Sequence, residues 1–67
     1  MKNVFDEIEN LLIEMEIAIE TGTNYSFYES QLKNKFSVAC KMKGKENKQL
    51  FECNFIKFNN LLNFIRQ

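Results

Sequence analysis

From its start the chain repeats apolar residues at a helical spacing. Phe5, Ile8, Leu12, Met15 and Ile19 follow a 3-4-3-4 rhythm, which lays one seam along a helix. Val4, Leu11 and Ala18 widen that seam, and Asp6, Glu9, Glu16 and Glu20 fall on the other side, the arrangement of a helix resting on a core. Thr21-Gly22 supplies a stop, because glycine readily takes the left-handed conformation past a last turn. The pattern predicts a helix from about residue 3 to about residue 20. Ile13 and Ile17 lie outside its main stripe. With them the helix is apolar over more than half its circumference, which marks a partner or self-association surface or a helix wrapped by the rest of the chain.

The period then changes. Residues 23–35, TNYSFYESQLKNK, are divided: Ser26 and Glu29 have capping-box spacing for a short helix over 27–34, while Tyr25, Phe27 and Tyr28 favour a strand. In FSVACKMKGKENKQLFECNF, residues 36–55, Phe36, Val38, Cys40 and Met42 alternate with Ser37, Ala39, Lys41 and Lys43. After GKENK, Phe51, Cys53 and Phe55 alternate with Glu52 and Asn54. Alternation on both sides of a glycine-bearing polar stretch predicts a β-hairpin. One register of that hairpin pairs Phe36 with Phe55 and Val38 with Cys53; another pairs Cys40 with Cys53. The last segment returns to helical spacing at Phe58, Leu61, Leu62 and Ile65, leaving Phe64 off the stripe.

The expectation is therefore a single small α+β domain over residues 1–67. It has an N-terminal amphipathic helix, a β-hairpin or three-stranded antiparallel meander, and a C-terminal helix. Both helices would cover one sheet face made by Phe36, Val38, Cys40, Met42, Phe51, Cys53 and Phe55. The competing architecture is an all-helical bundle. A chain of 67 residues with 45% apolar residues, seven of them Phe, can build a core from large aromatic side chains without disulfide staples.

The net charge is zero, but it is unevenly spread. Residues 1–20 carry Lys2 against six carboxylates, or −5, and residues 21–67 carry seven Lys and Arg66 against Glu29, Glu46 and Glu52, or +5. Lys33, Lys35, Lys41, Lys43, Lys45 and Lys48 form a candidate basic surface, either merely solvated or ready for an acidic partner or nucleic acid.

Candidate chemistry is sparse. Histidine is absent, which removes the usual general base and the commonest metal ligand. Cys40 and Cys53, with no CxxC pair, cannot complete a four-ligand zinc site in one chain. The simpler reading places both thiols in the core as small apolar groups. Two glycines cannot make a phosphate-cradling loop. No cofactor is implied, and an enzyme is not expected.

What remains is a small non-catalytic interaction protein: an inhibitor, adaptor or regulator of another protein. Phe5, Ile13, Ile17 and Phe64 are the candidate protein interface, with a homodimer through the first helix as one form of it. The alternative is a nucleic-acid-binding protein using the basic hairpin. No export signal or membrane-length apolar run is visible, so a cytoplasmic location without membrane contact is expected. The abundance of Asn, Lys and Ile is what an A/T-rich genome, such as that of a phage or mobile element, would encode.

Overall fold

The computed structural model describes residues 3–66, and they form three helices: α1 (Val4–Thr21), α2 (Ser26–Ala39) and α3 (Lys45–Ile65). No strand occurs among the described residues. The fold is all-α, and both the α+β class and the β-hairpin are overturned.

Helix α1 carries its own start and stop signals. The Asn3 side-chain oxygen accepts from the backbone N–H groups of Phe5 and Asp6 at 2.8 and 3.1 Å, and the Asp6 carboxylate accepts from the Asn3 N–H at 3.4 Å. This reciprocal box satisfies donors that the first turn otherwise leaves orphaned. At the far end Gly22 has φ 74°, and the Thr23 N–H donates to the Ala18 carbonyl at 2.9 Å. That is a Schellman closure, which a residue with a Cβ would strain. The expected boundaries thus hold to within a residue.

The segment read as a hairpin is the end of α2, a short connection and the first half of α3. The capping box expected at Ser26 and Glu29 is absent; Ser26 is the first residue of α2, and its N–H donates instead to the Asn24 side chain at 2.9 Å. Gly44 serves as the entry to α3, not as the glycine of a hairpin loop. Its φ of 114° and ψ of 148° lie in a region open essentially to glycine alone. Asn47 reaches back from the first turn of α3, its Nδ2 donating to the Lys43 carbonyl at 2.8 Å.

Two physical reasons explain why helix prevails over strand here. Residues 39–55 contain no β-branched side chain, so only Phe51 and Phe55 there favour a pleated backbone, whereas Lys, Glu, Gln and Leu are good helix formers. The largest apolar groups also satisfy the helical period better than the alternating one. Leu32, Phe36 and Ala39 are buried at i, i+4 and i+7 on α2, and on α3 Phe51, Phe55, Phe58, Leu62 and Ile65 run 4-3-4-3. The expected sheet face disperses accordingly. Phe36 is buried, Phe51 is half-buried, and Val38, Cys40, Met42, Cys53 and Phe55 are exposed.

The core joins all three helices through Phe5, Ile8, Leu12 and Met15 of α1, Leu32, Phe36 and Ala39 of α2, and Phe58 of α3. Val4, Leu11, Ile19, Tyr25, Tyr28, Phe51, Leu61, Leu62 and Ile65 pack around it. The Phe36 ring lies 5.4–5.5 Å from those of Phe51, Phe55 and Phe58. The contact between Phe36 and Phe55 therefore exists as one hairpin register required, but between two helices.

Leu32→Ala should destabilise the domain by roughly 2–5 kcal/mol, as expected for a fully buried leucine, whereas Val38→Ala should stay within about 0.5 kcal/mol. Urea denaturation followed by circular dichroism at 222 nm reads both. A costly Val38 change would restore an inward-facing strand.

Candidate functional site

The chemistry-bearing residues converge poorly. Cys40 ends α2 and Cys53 lies mid-way along α3, and both are free and exposed, so the expectation of two core thiols is corrected. The Cys40 Sγ–H donates to the Ser37 carbonyl at 3.1 Å. Helical spacing turns these positions outward, where an alternating strand would have turned them in. Among the described residues no three His, Cys, Asp or Glu side chains are placed to hold a metal ion.

The proposed interface residues separate into two environments. Phe5 is buried beneath the first turn of α1 and belongs to the core, so it is unavailable to a partner. Ile13 and Phe64 are 57% and 63% exposed, and the fold brings them to one groove between α1 and α3. Ile17, one turn beyond Ile13, is exposed but outside the groove lining.

The groove has a volume of about 670 Å³, within the range of ordinary binding clefts. From α1 it takes Glu9, Ile13, Glu16 and Glu20, at i, i+4, i+7 and i+11, with Leu12 and Ile19 deeper. From α3 it takes Lys57, Leu61 and Phe64, again at i, i+4 and i+7, together with Asn54 and Asn60. The walls are apolar, and the ionisable groups are three carboxylates against one ammonium. Asn54 is only 2% exposed. Its Nδ2 donates to the Leu50 carbonyl one turn back, at 2.8 Å, which fixes the carboxamide in place at the groove's inner edge and leaves further hydrogen-bonding capacity on it.

The lysines divide as well. Lys35 approaches Glu7 of α1 at 3.2 Å, so it ties α2 to α1 instead of joining a basic surface. This pair is partly solvated and contributes at most about 1 kcal/mol. Lys33 is exposed on α2, eight residues before Lys41. Lys41, Lys43, Lys45 and Lys48 gather around the α2–α3 connection, where Lys43, Lys45 and Lys48 border a second hollow with Met42 and Phe51. The basic cluster is thus a helix corner and not a ribbon.

No protein-family model, curated protein or solved structure matches this chain. Among the described residues no helix is long and apolar enough to cross a membrane.

Sequence reading singles out Ile13, Ile17 and Phe64 because each falls off a helical stripe, and all three are exposed, Ile13 and Phe64 in the groove and Ile17 outside it. It missed the groove's charged rim, because Glu9, Glu16 and Glu20 read as a solvated face until α3 is seen beside them. It also missed Leu61 and Lys57, whose relation to Phe64 depends on a helix running unbroken from residue 45. Both cysteines should react with an uncharged maleimide in the folded protein at rates close to those in denaturant, as followed by mass spectrometry. Protection of either thiol would place it inside.

Proposed function

We propose that this chain is a non-catalytic interaction domain that binds another protein through the α1–α3 groove. One observation carries the reading: Ile13 and Phe64 stand more than half exposed on opposite walls of one apolar groove. In a domain this small, apolar surface is scarce and the core needs it. Large side chains left out of that core in a contiguous concave strip have the character of a recognition surface. The absence of histidine and the dispersal of both thiols give the domain little with which to do chemistry.

A second reading rests on the lysines at the α2–α3 corner. Four ammonium groups there could meet nucleic-acid phosphates. Neither net charge nor arginine content supports it, since the chain is neutral and holds one arginine.

The deciding experiment compares the wild-type chain with an Ile13→Ser/Phe64→Ser double variant as baits in an extract of the native source. Both side chains are exposed, so the variant should keep its fold, as its circular dichroism would confirm. The wild type should retain a protein partner that the variant loses. Equal capture by both, or retention only of nucleic acid released by salt, would overturn the proposal.

A further inference from the structure

We infer that the occupant of the α1–α3 groove is a cationic amphipathic helix from a different protein. This rests on the reading of the groove as a protein-binding surface and specifies the chemistry of the partner. The groove is bounded on both sides by helices, and the residues lining it recur at helical spacing on each, Glu9-Ile13-Glu16-Glu20 on one and Lys57-Leu61-Phe64 on the other. Such a slot matches the ridge of a third helix, whose side chains repeat at the same period. From Glu9 to Glu20 is eleven helical steps, or about 16 Å of helix, so three turns of a partner would fill it.

Charge selects among the possible helices. The rim offers three carboxylates and one ammonium, and lysines or arginines flanking an apolar ridge would meet Glu9, Glu16 and Glu20 while leucine-like side chains sit against Ile13, Leu61 and Phe64. A second copy of this chain is a poor occupant. Two-fold pairing through α1 would set those carboxylates against their own counterparts, and like charges brought together disfavour the contact. Asn54 adds a polar group at the inner edge of the apolar slot, where a partner's polar side chain in one register could pair with its carboxamide. A single buried polar position is the kind of feature that sets helix register.

The test uses designed probes and the full chain. A Leu/Lys amphipathic peptide of about 18 residues is titrated against labelled protein, in parallel with a Leu/Glu peptide of the same apolar pattern. The Lys peptide should bind, weaken as salt rises, and shift amide resonances around Ile13, Leu61 and Phe64. The Glu16→Gln variant combined with E9Q and E20Q should weaken it about tenfold, as expected for three solvent-exposed pairs, whereas a control carrying E14Q, E46Q and E52Q should not. Each of these results overturns the inference: no binding of the Lys peptide, equal binding of the Glu peptide, equal weakening by the control variant, resonance shifts confined to the α2–α3 corner, or sedimentation of the free protein as a dimer that the I13S/F64S variant abolishes. If the Lys peptide fails while I13S/F64S still loses a natural partner, the chemistry assigned to the occupant falls and the groove's role stands.

Discussion

The ring of Phe36 is the point on which the arrangement of the second half of the chain depends. Three rings of α3 surround it, two edge-on and one tilted, and Phe51 and Phe55 stack on each other alongside. Edge-to-face pairs add about 0.5–1.5 kcal/mol each beyond the area they bury. The clasp is needed because α2 otherwise packs mainly on α1, and its direct contact with α3 is the smallest of the three helix pairs. It also fixes where α3 points. With Phe58 drawn into the core beside Phe36, the Lys57-Leu61-Phe64 edge of α3 is turned toward α1, and the groove is a consequence of that rotation.

The legibility of the sequence varied along the chain for physical reasons. In α1 the seam, the acidic face and the stop at Gly22 all pointed the same way, and the helix appears where expected. In residues 36–55 two periods coexist. Phe36, Val38, Cys40 and Met42 alternate, yet Leu32, Phe36 and Ala39 also keep helical spacing. Ala39 is buried with the helical set, yet a small residue carries little apolar weight in a sequence. The Phe51-Phe55-Phe58-Leu62-Ile65 run has the same rhythm as the seam of α1, but it crosses the boundary between two segments that had been read separately. The lack of β-branched residues between Val38 and Ile56 was the available signal.

The candidate site was half legible on similar grounds. Apolar residues in excess of one core can be counted from a helical stripe, which identifies Ile13, Ile17 and Phe64. Phe5 belongs to the stripe itself, and its burial follows. Which surplus residues share a surface depends on the neighbour, and α3 could not be placed beside α1 while its first half was read as a strand. The same misplacement hid the division of the lysines, one of which is engaged by Glu7 across the α1–α2 contact.

Glu16 and Glu20 lie one turn apart on the groove wall, with Glu9 two turns before Glu16 and no basic residue between Glu9 and Glu20 to offset them. Like charges one turn apart destabilise a helix by a few tenths of a kcal/mol. The unoccupied domain thus carries a standing self-repulsion along the edge of its best-capped helix. Dissolved ions screen that repulsion, and they equally screen any attraction between the same carboxylates and a visiting cation. Ionic strength therefore acts on the free domain and on any such attraction in opposite directions, and the conditions that most relieve the self-repulsion are those in which this edge is least attractive to a basic surface.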